Sequence, residues 1–182
     1  DSLKDYGKII VFDNNSNDLT KKYVLNHGFD LMHTLKRGYE NVIFDIVKFY
    51  LNSNYDFLCI IDGDGEVGTN EISSALSVLE SNHELDGILG KRTKIKRFSE
   101  RSVNFFFKKF YGIEDIFCGF KILRKKGISK RLKKRTFGTS IVNKKGKFEN
   151  FLVELNSRAD SRLDEDWLIN FKILYYGLKG LI

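Results

Sequence analysis

Apolar positions along this chain fall into short runs and helical stripes separated by polar turns. Lys8 to Phe12 is a β-forming run that ends in the polar stretch Asp13-Asn14-Asn15-Ser16-Asn17-Asp18. With Asn17 or Asp18 as N-cap, a helix is predicted over Leu19 to Asn26, closed by Gly28. Phe29 to Leu35 reads as a second strand. After Gly38, apolar residues at Tyr39, Val42, Ile43, Ile46, Val47 and Tyr50 make the stripe of a helix packed on a sheet. Tyr55 to Ile61 is apolar on both faces, which predicts a strand in the middle of a covered, parallel sheet.

Thr69 is the expected cap of the next helix, with the stripe Ile72, Ala75, Leu76 and Leu79. A short strand over Asp86 to Gly90 precedes the basic loop Lys91 to Arg97. Ser99 opens a helix with the stripe Val103, Phe106, Phe107 and Phe110. Strands are predicted over Phe117 to Leu123 and Lys147 to Leu155, with the basic segment Arg124 to Arg135 between them. A final helix carries Asp164, Glu165 and Asp166 in its first turn, where they suit the dipole. Its stripe is Trp167, Phe171, Leu174, Tyr175 and Leu178. Strands alternating with helices of this length predict a doubly wound α/β layer.

At 182 residues the chain suits one domain, 1–182, with a single core. The stretch begins at Asp1 and stops just past an amphipathic helix, which predicts that it is part of a longer protein. No run of eighteen apolar residues and no signal peptide is present. The formal charge of +7 favours an anionic partner. Nucleic acid is set aside, because no recognition motif accompanies the charge. Cys59 and Cys118 make no disulfide framework, and His27, His33 and His83 have no zinc spacing.

Chemistry concentrates at Asp62-Gly63-Asp64-Gly65-Glu66, where the strand ending at Ile61 gives way to two carboxylates on a turn. Ligands of open α/β sheets bind at that edge. Two carboxylates without histidine or cysteine suit a hard cation such as Mg²⁺ or Mn²⁺, which keeps waters and shares a phosphate. The same four residues also suit a plain turn. An EF-hand is excluded, since Val67 stands where that loop needs glycine.

Four pieces stand in order: Asp13 to Thr20, Asp62 to Glu66, Leu89-Gly90-Lys91-Arg92, and Asp115-Ile116-Phe117-Cys118-Gly119-Phe120-Lys121. Together they resemble the family-2 glycosyltransferases of the GT-A fold, most closely the dolichyl- or polyprenyl-phosphate sugar synthases. The resemblance implies an α/β, Rossmann-like sandwich with a mostly parallel central sheet, N-terminally truncated here. It implies metal-dependent, inverting transfer of a hexose from a nucleotide-diphosphate sugar, GDP-mannose or UDP-glucose, to a polyprenyl or dolichyl phosphate. The protein would work at the cytoplasmic membrane face, peripheral to it or anchored there.

By the same resemblance Asp13 lies near the nucleotide base, and Asp62 and Asp64 hold Mg²⁺ or Mn²⁺ at the diphosphate. Arg92 matches the arginine of a Gly-Ser-Arg strand end, and Arg101 one that helps hold the acceptor phosphate. Arg158, Ser161 and Arg162 fall on a late phosphate-binding loop. Arginine forks and a metal are what a leaving diphosphate needs. A phosphate acceptor, with a second pKa of about 6, attacks without a strong base. A sugar-hydroxyl acceptor, the alternative within the family, requires one, and Asp115 is then the candidate. Phe105, Phe106, Phe107 and Phe110 are candidates for a membrane-facing helix, since three consecutive phenylalanines cannot share one core.

The family's opening strand has no match in Asp1 to Gly7, and Asn14, Asn15, Lys91, Cys118 and Asp160 depart from its pattern. These departures predict an unpaired gap in the sheet and a poorly folded or inactive fragment. They also leave open a non-catalytic relic that binds nucleotide or membrane.

Overall fold

The computed structural model describes residues 7–154 and 167–181. The chain divides into two compact units, Asp1–Asn54 and Tyr55–Ile182. The first contains β1 (Ile10–Asp13), α1 (Thr20–Asn26), β2 (Asp30–His33) and α2 (Tyr39–Leu51). β1 and β2 pair in parallel, with Ile10 opposite Asp30 and Asp13 opposite His33. Helix α2 buries Ile43, Val47 and Tyr50, three positions of its predicted stripe. Neither Asn17 nor Asp18 is the N-cap: α1 starts at Thr20 with Leu19 as its N-cap and no side-chain cap bond, and Asp18 Oδ1 instead accepts the Thr20 N–H at 2.9 Å from one position further out.

The second unit contains β3 (Leu58–Ile60), α3 (Thr69–Ser81), β4 (Gly87–Arg92), α4 (Phe98–Tyr111), β5 (Lys121–Leu123), β6 (Phe148–Val153) and α5 (Trp167–Lys179). Its sheet has the order β3-β5-β4-β6. β5 is antiparallel to both neighbours and β6 is parallel to β4, so β3, β4 and β6 run the same way. Ile88, Leu89, Phe120, Ile122 and Leu123 are fully buried at its centre. The α/β architecture is therefore the expected one, but β3 is neither the middle strand nor paired in parallel: its ladder with β5 is antiparallel. Among the described residues its one ladder partner is β5, which lies between β3 and β4 although it follows both in sequence. Two separate sheets result, β1-β2 and β3-β5-β4-β6.

Helix faces depart from the predicted stripes where side chains have other partners. α4 buries Ser99, Glu100, Val103, Asn104 and Phe107, while Phe106 and Phe110 face outward. Ser99 Oγ donates to Asn170 Oδ1 at 2.7 Å, and Glu100 and Asn104 join an ionic network described below. Buried polar groups need such partners, and supplying them rotates the helix from its most apolar face. On α5, Phe171 and Tyr175 are exposed and Ile173 is buried. Gly177 lies against Val103 of α4, so the small residue sets the contact face and not the large ones. Thr69 is the first residue of α3 and Gly68 its N-cap, with no side-chain cap bond. Gly112 ends α4 in the left-handed region, at φ 69°.

Candidate functional site

The strand directions decide which loops meet. The chain leaves β3 and β4 at the same edge of the sheet and enters β5 there, so 61–66, 92–97 and 115–120 converge. Lys121 stands opposite both Ile60 and Leu89. Two residues beyond the paired ends of β3 and β5, in the adjoining loops, Gly119 faces Asp62. A Cβ at position 119 would lie 2.2 Å from Asp62 Oδ2 and 2.7 Å from its carboxyl carbon. Only glycine lets the backbone come this close to the carboxylate.

Asp62 and Asp64 are both exposed on this loop. Asp64 Oδ1 accepts the N–H of Glu66 at 3.1 Å, and Gly65 takes φ +76° to make the turn. No group of three or more histidine, cysteine or acidic side chains that could hold a metal occurs among the described residues. A cation held by Asp62 and Asp64 would therefore complete its shell with ligand oxygens and water. That donor set suits Mg²⁺ or Mn²⁺ and not a closed structural site.

Arg92 also reaches this edge, and its side chain is engaged by carboxylates. Nε donates to Asp115 Oδ2 at 2.7 Å and Nη2 to Oδ1 at 3.0 Å, while Nη2 also meets Glu100 Oε2 at 2.7 Å. Burial alone would lower the Arg92 pKa, but Asp115 and Glu100 outweigh it and hold the guanidinium above its ordinary range. Asp115 is 1 % exposed and accepts a further bond from Asn104 Nδ2 at 3.0 Å and one from the Arg92 N–H at 3.3 Å. Arg97 Nη1 meets Glu100 Oε1 at 2.8 Å and extends the network.

Behind it lies Lys121, 4 % exposed, whose ammonium donates to the Cys118 carbonyl oxygen. Burial holds its pKa below the usual lysine range, opposed by Cys118, Asp115 and Asp62. Cys118 is a packed small residue: it is buried, with Sγ 2.7 Å from where a Gly90 Cβ would stand. Glu100, Asn104, Gly119 and Lys121 were not among the sequence candidates. Gly119 and Lys121 stood inside the recognised Cys-Gly-Phe-Lys segment. Glu100 and Asn104 carried no signal, since a polar residue on a helix is ordinarily solvated.

Asp13, in the first unit, is 2 % exposed at the end of β1. Its Oδ1 accepts the Ser16 N–H at 3.0 Å, and its Oδ2 meets His33 Nδ1 at 3.1 Å and Lys21 Nζ at 3.9 Å. Burial raises its pKa, and these partners together outweigh burial and lower it. Arg101 is exposed on α4, in a shallow groove of about 550 Å³ that it lines with Phe98, Ser102, Phe105 and Phe106. Arg158, Ser161 and Arg162 lie outside the described residues.

No protein-family profile and no curated protein sequence matches the chain. Solved structures do. Glucosyl-3-phosphoglycerate synthase from Mycobacterium tuberculosis, in complex with phosphoglyceric acid, superposes with TM-score 0.68 at 12% identity over 95% of this chain and 68% of that one. The same enzyme with Mn²⁺ and UDP-glucose gives TM-score 0.65 at 11% identity over 94% and 67%. Mannosyl-3-phosphoglycerate synthase from Rubrobacter xylanophilus gives 0.64 at 12% identity over 96% and 62%. The chain thus has the fold of these structures, the GT-A fold, and spans about two thirds of their length.

Proposed function

We propose that this chain is the catalytic part of a metal-dependent, inverting glycosyltransferase that takes a hexose from a nucleotide-diphosphate sugar. The observation that carries the reading is the Asp62-Gly63-Asp64 loop at the carboxyl edge of β3, on a fold shared with a transferase crystallised with Mn²⁺ and UDP-glucose. Mg²⁺ or Mn²⁺ bound at Asp62 and Asp64 supplies charge neutralisation for the leaving diphosphate. Gly119 gives the Asp62 carboxylate its place. Arg92 serves through Asp115 and Glu100, by tying the end of β4 to the start of α4. Arg158, Ser161 and Arg162 are assigned to the diphosphate, and Asp13 to the base side of the donor.

For the acceptor we favour a polyprenyl or dolichyl phosphate, presented at the cytoplasmic membrane face. Support comes from the α4 groove, where Arg101 sits among Phe98, Phe105 and Phe106. A guanidinium among aromatic rings suits an anionic head on an apolar chain. With a phosphate oxygen as nucleophile, no general base is required, and positioning carries the rate. The loading of Asp115 with donors fits a reaction that does not call on it as a base. A second reading is favoured by the structural likeness: the neighbouring enzymes are phosphoglycerate glycosyltransferases, one in complex with phosphoglyceric acid. A small phosphorylated hydroxy acid would then take the place of the lipid.

The test is made on the full-length gene product in membranes, with labelled GDP-mannose or UDP-glucose, with and without Mn²⁺ or Mg²⁺. Label entering organic-extractable lipid only with metal supports the lipid acceptor. Label entering a water-soluble product only when phosphoglycerate is added moves the acceptor to the second reading. Nucleotide sugar bound without turnover under either condition defeats the enzyme reading and leaves a binding relic.

A further inference from the structure

The outward face of α4 extends beyond the groove that the lipid-acceptor reading uses. Phe98 is 72% exposed, Phe105 63%, Phe106 37% and Phe110 58%, all on one helix of fourteen residues. Full burial of a phenylalanine contributes about 1.5–3 kcal/mol, and Phe98, Phe105 and Phe110 each forgo more than half of it in water, so an apolar neighbour suits this face. The rings are ordered among themselves: Phe106 stacks on Phe110 at 6.5 Å and meets Phe105 edge-on at 5.6 Å. The other exposed side chains of α4 are Arg101, Lys109 and Lys108, the last paired with Glu114 at 3.0 Å. The helix's one carboxylate, Glu100, is 5% exposed and turned inward to Arg92 and Arg97. Its packing partner α5 repeats the pattern, with Leu168, Phe171 and Tyr175 exposed beside Lys172, and has no acidic residue in its length.

We propose that this face of α4 docks the protein onto an anionic phospholipid bilayer, its phenylalanines in the headgroup–acyl boundary and its cations on the lipid phosphates. A helix with aromatic residues and cations on its outward face has the make-up of an interfacial segment, and each cation near an anionic leaflet adds to the attraction. A second copy of the chain fits less well, since a two-fold contact through this face would bring two surfaces of the same positive sign together. The inference gives the lipid-acceptor form of the proposed function its membrane contact and rests on that form for its purpose. Its test is independent, because the vesicles contain neither acceptor nor donor.

The whole protein is sedimented with vesicles of phosphatidylcholine, alone or with a quarter phosphatidylglycerol, at low and high salt. The expected result is partition onto the anionic vesicles, weaker on neutral ones and weaker in salt. In the double variant Phe98→Ser/Phe105→Ser, partition falls about tenfold or more. Both side chains are exposed, so its circular dichroism and unfolding midpoint match the parent. Lys109→Glu, which leaves every phenylalanine in place, lowers partition at low salt only. Absence of parent protein from the anionic pellet, equal binding to neutral vesicles, or undiminished binding of the double variant overturns the proposal. So does a dimer in solution that the double variant dissolves while vesicles bind nothing, which would assign the face to a second copy. Sugar transfer failing while vesicle binding persists would remove the acceptor and leave the docking face standing.

Discussion

Arg92 grips Asp115 through two nitrogens, Nε at 2.7 Å and Nη2 at 3.0 Å, across 23 positions of sequence. The pair closes the end of β4 onto the turn that leads to β5. It also occupies both carboxylate oxygens of Asp115 with Arg92 donors, and Asn104 Nδ2 adds a third bond to Oδ1. Breaking a buried ion pair by removing one partner costs more than the pair contributes net, because the other charge is left without compensation.

Asp115→Asn is therefore expected to lower stability by about 3–5 kcal/mol, read as a shift in the urea midpoint. An unchanged midpoint with a large fall in turnover would instead make Asp115 a base and bring back a hydroxyl acceptor.

Gly119→Ala places a methyl group where the Asp62 carboxylate now lies, 2.2 Å from Oδ2. Asp62 must move, and weakening of Mn²⁺ binding by about 10–100-fold is expected, the usual cost of disturbing a ligand's supporting shell. Titration followed by the Mn²⁺ paramagnetic resonance signal reads this directly. Unaltered affinity would show that Asp62 does not bind the ion in its present position.

Asp64→Ala removes one of two carboxylates on the loop. Metal-dependent release of nucleotide from the donor sugar should fall about a hundredfold or more, as should release by the parent in chelator, since the ion stabilises several kcal/mol of developing charge. Equal nucleotide release by parent and variant, metal present, would dissociate this loop from the chemistry.

Asp13 ties the acid response of the first unit to one side chain. Its pKa lies below the ordinary aspartate value of about 3.9, because Ser16, His33 and Lys21 outweigh burial. A lowered folded pKa contributes stability that is fully present above the unfolded value and is lost as pH falls through the folded one. Asp13→Asn should thus reduce stability at pH 7 and flatten its decline below about pH 3.9. Parallel denaturation curves of parent and variant across pH 2–7 would contradict this.

Element type was legible wherever local chemistry acts alone. The β1 run, the α2 stripe at Ile43, Val47 and Tyr50, and the Asp62–Glu66 turn follow from side-chain spacing and turn preference. On α4 the predicted stripe holds at Val103 and Phe107 and fails at Phe106 and Phe110, while of the outward candidates Phe105, Phe106 and Phe110 are exposed and Phe107 is buried. On α5, Phe171 and Tyr175 are exposed; on both helices burial went to positions whose partners lie elsewhere in sequence, such as Ser99 with Asn170 and Gly177 with Val103.

By itself, then, the sequence determined an alternating α/β chain with two carboxylates closing a strand and a basic, phenylalanine-rich helix further along. Backbone propensity and periodicity suffice for that, because they act over a few residues. Only the tertiary structure decided that β5 enters between β3 and β4, and with it that Gly119 faces Asp62 and that Asp115 holds Arg92. Those relationships depend on ladder register and on ion pairing across tens of residues. Their energy arises when distant segments meet out of water, and no local pattern records it.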